Sequence, residues 1–171
     1  MRIYLTGFMG AGKSAVGQAL ADLLGVPFVD LDAEVETRAG LSVRQIFESA
    51  GEAAFRDLEY QALRATAALE NAIVATGGGT ITFERNLAFL RQAGVSIWLN
   101  PSFQTIADRI GGRGKLDRPL FQSEEQAFEL YRHRLDAYRR ADLDVAIGPE
   151  ETPREVAARI HLLLRERVCV I

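Results

Sequence analysis

The chain has 171 residues, 48% of them hydrophobic and 25% charged, with a formal net charge of −3. These totals fit one globular domain with a sizeable core. They argue against nucleic-acid or membrane-surface binding through bulk positive charge, and no apolar run is long enough to span a bilayer. Ile3-Tyr4-Leu5 reads as a short strand and Lys13 to Leu24 as a helix that Gly25 ends. Pro27 starts a second strand, Phe28-Val29, and a helix is expected from Asp32 to Ala39. Ser42 and Gln45 have capping-box spacing for a short helix ending near Ser49. Gly51 opens a long helix whose apolar face runs Phe55, Leu58, Ala62, Leu69.

Ala72 to Ala75 has the pattern of a buried strand. Thr82 to Gln92 reads as helix, Val95 to Leu99 as strand and Pro101 to Ile110 as helix. The glycine-rich, charged stretch GGRGKLDRP follows at 111–119. Glu124 to Ala141 is a helix, Val145-Ala146-Ile147 the last strand and Pro153 to Arg167 the last helix. Short apolar strands alternating with helices imply a parallel sheet covered on both faces, so ligands should sit beyond the carboxyl ends of the strands.

Gly7, Gly12, Lys13 and Ser14 match G-x-x-x-x-G-K-[ST] between a strand and a helix. Glycines let backbone amides turn inward around phosphate oxygens, and the helix start adds its positive end. The 20 basic residues are 18 arginines plus Lys13 and Lys115. In so Arg-biased a chain, Lys13 reads as a compact ammonium placed on the β- and γ-phosphates, with Ser14 on Mg²⁺. Many proteins with this loop end a later strand in an Asp that helps hold the metal; here that strand runs into Thr76-Gly77-Gly78-Gly79. Asp30 and Asp32, in VDLD, are the candidates to replace it, and would face one way if the chain stayed extended. One carboxylate would reach the metal through water and the other accept a hydroxyl proton. Asp32 also suits a helix N-cap, and the two roles can coexist.

Other residues are bland singly. Arg56 and Glu59 read as a solvated i, i+3 pair, and Arg134 as a charge on a late helix. Gly77-Gly78-Gly79 is either a flexible turn or a place where amides approach a ligand. Arg118 is either a solvated loop charge or a mobile cation closing over the phosphates. His133 and His161 show no metal-ligand spacing and read as structural. Cys169, the only cysteine, ends an apolar tail and can form no internal disulfide.

Together, GFMGAGKSAVGQALA, FVDLDAEVE, FRDLE, TGGGT, RPLF and RHRLDAY resemble the shikimate kinase family in order and spacing over nearly the whole chain. That resemblance implies an α/β, three-layer P-loop kinase fold of the nucleoside monophosphate kinase type, with a five-stranded parallel sheet of order 2-3-1-4-5. It implies one kinase domain over 1–171, with a substrate region about 32–61 and a lid about 111–123. The implied activity is ATP-dependent phosphorylation of the 3-hydroxyl of shikimate, on the route to aromatic amino acids.

By the resemblance, Gly10, Ala11, Gly12, Lys13, Ser14 and Ala15 hold phosphates, and Ser14 and Asp30, the latter through water, serve Mg²⁺. Asp32 binds the ring hydroxyls and serves as base. Arg56 and Arg134 clamp the carboxylate, Glu59 orients Arg56, and Gly78 within Gly77 to Gly79 offers a backbone contact. Arg118 is the lid arginine, while Arg109 and Pro153 flank adenine. The chain departs from the family pattern in a slightly long lid, in Phe121, and in Glu151-Thr152 before Pro153, where a basic residue is usual. Lys115 offers a second lid contact to phosphate and Arg154 a substitute for that basic residue. A cytoplasmic monomer with ATP, Mg²⁺ and a small acceptor, and without nucleic-acid or membrane partners, is expected. The rivals are gluconate kinase, on the same fold, and a nucleotide-binding regulator without turnover.

Overall fold

The computed structural model describes residues 1–111 and 123–168. Five strands, β1 (Arg2–Thr6), β2 (Phe28–Asp30), β3 (Ala72–Ala75), β4 (Val95–Pro101) and β5 (Leu143–Ile147), form one sheet of order β2-β3-β1-β4-β5. All four pairings are parallel. Among the described residues, seven α-helices connect and cover them: α1 (Lys13–Leu24), α2 (Leu31–Ala39), α3 (Val43–Ala65), α4 (Glu84–Ala93), α5 (Phe103–Gly111), α6 (Glu124–Tyr138) and α7 (Pro153–Val168).

Strand alternation divides the core in two. Ile3 and Leu5 of β1 face α1 and α7 with Ile73, Ile97 and Val145. Tyr4 between them points the other way, into a cluster with Val74, Trp98 and apolar residues of α2 to α6. Both faces are covered, which is why the strands read as unbroken apolar runs. The register places Leu5 beside Ala75 and Ile97, and Ala75 beside Asp30. Three strand ends therefore finish level, and the loops after them meet above one edge of the sheet.

Several boundaries differ from the sequence reading. Helix α2 starts at Leu31, so Asp30 rather than Asp32 is its N-cap, accepting from the amides of Asp32 (3.1 Å) and Ala33 (3.3 Å). The chain does not stay extended past Asp30, and Asp32 sits in the first helical turn. The expected break at Gly51 is present inside α3, with φ 83° and ψ 174°. Leu69 lies beyond α3, after a short 3₁₀ turn at Thr66–Ala68, in extended conformation. Helix α4 begins at Glu84, because Thr80–Thr82 form a separate 3₁₀ turn. Pro101 closes β4 instead of opening a helix; a last strand residue needs no amide bond on its outer side. Strand β5 starts earlier, at Leu143, and α6 ends at Tyr138, short of Ala141.

Candidate active site

The loop between β1 and α1 wraps around an opening. Gly10 and Gly12 have φ 79° and 96°, values that L side chains rarely adopt, and this lets the loop curl back on itself. Gly12 caps α1 without a side-chain bond, so the first-turn amides face the opening rather than a capping oxygen. Lys13 folds back over the loop, its Nζ donating to the carbonyls of Gly7 (2.8 Å) and Phe8 (3.0 Å). The sequence places a phosphate cradle here, and the backbone has that shape.

Two cavities meet at this loop, with Gly10, Gly12 and Ala15 lining both. The larger, about 750 Å³, lies beyond the carboxyl ends of β2 and β3. Lys13, Ser14, Asp30, Asp32, Arg56, Glu59, Gly77, Gly78, Gly79 and Arg134 all line it. The smaller, about 610 Å³, is lined by Ala11, Arg109 and Pro153 among others. The Nη1 of Arg109 donates to the Gly10 carbonyl at 3.1 Å, tying α5 to the loop. Glu151 also borders this second cavity, held by the Gly148 amide (2.9 Å) and by Arg159. Two occupants placed in the two cavities would thus meet at the phosphate loop.

Ser14 Oγ donates to Asp30 Oδ2 at 2.5 Å. This pair supplies two hard oxygens beside the phosphate loop, a donor set that suits Mg²⁺ with most of its waters retained. Among the described residues no cluster of three His, Cys, Asp or Glu could hold a metal ion. His133 is exposed on α6. Arg118, Lys115, Phe121, Cys169 and all but the two ends of the expected lid at 111–123 lie outside the described residues.

On the acceptor side, the solvated ion-pair reading of Arg56 and Glu59 fails. Glu59 is fully buried and Arg56 is 6% exposed. Glu59 accepts from Arg56 Nη1 (3.1 and 3.3 Å) and from Thr80 Oγ1 (2.8 Å). Arg56 also donates to Glu52, through Nε at 3.3 Å and Nη2 at 3.2 Å. Arg134 is nearly as buried as Arg56, and its Nη1 has no hydrogen-bond partner. A buried guanidinium nitrogen without an acceptor costs free energy that a bound anion would recover.

The glycine turn shows how closely these groups converge. A Cβ on Gly79 would lie 2.7 Å from Arg56 Nη2 and 3.0 Å from Arg134 Nη2. Both guanidiniums therefore converge on one point, within the span of one planar carboxylate. A Cβ on Gly77 would meet Glu59 Oε2 at 2.8 Å and Asp32 Oδ1 at 3.0 Å. At Gly77 and Gly79 the missing side chains make room for the site's charged groups. That requirement is more specific than the flexible turn or amide approach that sequence suggests.

Asp32 lies across the cavity from the arginines. Water reaches it through the open cleft, yet protein surrounds it on most sides. That lost hydration is the largest cause of a carboxyl pKa raised from 3.8 to about 6. Lys13 pulls the value down, Glu59 and Asp30 push it up, and Arg56 pulls it down.

Sequence reasoning passed over Glu52, Thr80 and Tyr138. Glu52 carries a legible signal, four residues before Arg56 on a helix. Thr80 and Tyr138 sit inside recognisable segments, but their partners are 21 and 60 residues away, so no local pattern announces them.

A parallel sheet of order 2-3-1-4-5, a Gly-Lys-Ser loop after its central strand and an anion-ready cavity beside that loop define a P-loop kinase for a small acidic acceptor. Comparison with known proteins narrows the class. The family model described as shikimate kinase matches residues 9–165. The shikimate kinase of Geobacter sulfurreducens is 41% identical over 167 residues, covering 96% of this chain and 91% of its own. That of Aquifex aeolicus is 39% identical over 165 residues, covering 96% of both. The chain belongs to the shikimate kinase family.

Among solved structures, shikimate kinase from Acinetobacter baumannii in complex with shikimate superposes with a TM-score of 0.90 at 34% identity, covering 97% of this chain and 93% of that one. The Aquifex aeolicus enzyme gives 0.84 at 38% identity, with 99% of both chains covered. A deoxyadenosine kinase from M. mycoides, 18% identical with a TM-score of 0.59, shares the fold alone.

Proposed function

We propose that this chain transfers the γ-phosphoryl group of ATP to the 3-hydroxyl of shikimate, as a step of aromatic amino acid (chorismate) biosynthesis. The observation that carries this reading is the convergence of Arg56 and Arg134 at Gly79, with an unpaired Arg134 nitrogen, in a cavity that opens onto the phosphate loop. Paired guanidiniums suit a carboxylate that can bond both at once. Membership of the family and the shikimate-bound relative support the choice of acid.

In this reading Gly10, Ala11, Gly12, Lys13, Ser14 and Ala15 cradle the phosphates, with adenine between Arg109 and Pro153. Ser14 and Asp30, the latter through water, would hold Mg²⁺, which neutralises charge on the β- and γ-phosphates when bound. Arg56 and Arg134 bind the acceptor carboxylate, and Glu59 keeps Arg56 in place. Asp32 orients the hydroxyl and accepts its proton as the oxygen attacks phosphorus. A carboxyl titrating near 6 is ionised at neutral pH, yet is a better base than an ordinary aspartate. Residues of about 32–61 would shape the acceptor end, within a single kinase domain. Arg118 would close over the transferring group and help exclude water.

The chain would act as a cytoplasmic monomer without nucleic-acid or membrane partners. No helix among the described residues is long and apolar enough to cross a membrane.

An acceptor panel tests the reading. ADP release with ATP and Mg²⁺ is measured over shikimate, gluconate and AMP. Turnover on shikimate is expected to dominate, and preference for gluconate would reject the assignment. Any transfer to a small acceptor eliminates a regulator without turnover.

A further inference from the structure

Tyr138 is the last residue of α6, fully buried, and sits one helical turn after Arg134. Its hydroxyl donates to the Gly78 carbonyl at 2.6 Å, and a Cβ on Gly78 would lie 3.3 Å from Arg134 Nη1, so the phenol, the turn and the guanidinium meet at one place. Burial holds the phenol well above its ordinary titration range, so it stays protonated and able to donate. Trp98, the only tryptophan, stacks on the ring with centroids 5.8 Å apart and planes at 27°. The ring is thus fixed by the sheet, and its hydroxyl joins two parts of the acceptor site that lie far apart in sequence.

We propose that Tyr138 is a positioning residue for phosphoryl transfer, whose single hydroxyl sets both the direction of the Arg134 guanidinium and the orientation of the peptide between Gly78 and Gly79. A trans peptide points its carbonyl and its amide in opposite directions. Holding the Gly78 carbonyl toward Tyr138 therefore turns the Gly79 amide the other way. Arg134 Nη1 is left unpartnered, with the guanidinium over the ring of Phe8. One nitrogen is thereby kept ready for the acceptor. Without the hydroxyl, the Gly78 carbonyl loses its donor, and Arg134 becomes free to turn toward that carbonyl and away from the acceptor. Tyr138 touches no reacting atom; its effect passes through Arg134 and the glycine turn.

The inference rests on shikimate as the acceptor. Tyr138→Phe removes the hydroxyl and keeps the ring stacked on Trp98. KM for shikimate is expected to rise about five-fold, the size of one lost hydrogen bond, with KM for ATP unchanged. In an Arg134→Ala background the same substitution is expected to raise KM for shikimate by a clearly smaller factor, because one of the two groups it positions is gone. A purely structural Tyr138 would instead lower Tm and leave KM for shikimate alone, or would add its full effect in both backgrounds; either result overturns the proposal. If Tyr138→Phe does not fold, Trp98→Phe, which loosens the ring but leaves the hydroxyl, is expected to raise KM for shikimate more than KM for ATP, and equal effects would overturn the proposal. Wild-type protein inactive on shikimate would overturn the acceptor assignment instead, so the two failures are distinct.

Discussion

Replacing Gly79 with alanine isolates the proposed carboxylate clamp. At this residue φ is −101° and ψ −3°, which any L residue adopts, so the substitution carries no backbone penalty. The whole cost comes from the added methyl. It would stand 2.7 and 2.9 Å from the two terminal nitrogens of Arg56, closer than a carbon settles, and a tight 3.0 Å from Arg134 Nη2. Neither arginine can yield freely. Arg56 is held by Glu59 and Glu52 and lies over the rings of Phe55 and Phe83, and Arg134 lies over Phe8. Overpacking of this kind costs about 1–3 kcal/mol. Relieved by displacing the guanidiniums, it becomes a rise in KM for shikimate of roughly five- to one-hundred-fold. The phosphate loop is untouched, so KM for ATP is expected to stay constant. Steady-state ADP release, with each substrate varied at saturating levels of the other, reads both values. An unchanged KM for shikimate, in a variant that keeps its Tm, would show that the guanidiniums do not grip the acceptor where they converge.

Asp32→Asn is expected to keep ATP binding and lose most turnover; near-normal kcat would rule out both the base and the anchoring role. Folding raises the Asp32 pKa from 3.8 to about 6, so the folded chain holds this proton more tightly than the unfolded chain. The carboxyl's contribution to stability therefore falls as pH rises through that window, and Asp32→Asn is expected to raise Tm above about pH 6 but not below 3.8. A melting series showing no pH-dependent difference would contradict the shift. Glu59→Ala leaves Arg56 buried with only an exposed partner, and a loss of about 3 kcal/mol or more is expected in urea denaturation. A midpoint like the wild type would mean that Glu52 alone compensates the charge. Arg134→Ala is expected to raise KM for shikimate far more than KM for ATP, and equal effects on the two would remove Arg134 from the clamp.

The alternation of strands and helices, the break at Gly51 and the phosphate loop were legible because each rests on local rules, whereas the strand order followed only from the resemblance to the family. Apolar runs of three to five residues alternate with helical periods, Gly51 adopts a backbone that few other residues can, and the glycines of residues 7–12 mark a loop between strand and helix. Errors fell where two local rules compete. Asp30 and Asp32 both suit an N-cap, and the choice was made where β2 ends, which depends on pairing with β3 forty-odd residues later. Pro101 looked like a helix start because proline often is one, but pairing of β4 with β5 carries the strand through it.

For the site, sequence alone determined which residue types are present and in what order, and through those motifs the family and its chemistry. It could not assign burial. Arg56, Glu59 and Arg134 have the sequence signature of surface charges, and only the packing of α3 and α6 against the glycine turn makes them a buried, convergent cluster. The same holds for Tyr138, whose value lies in a bond to a carbonyl 60 residues away. Charge strength, pKa and unsatisfied bonding capacity depend on what fills the space around a group. That space is assembled from segments distant in the chain, so the tertiary structure had to decide it.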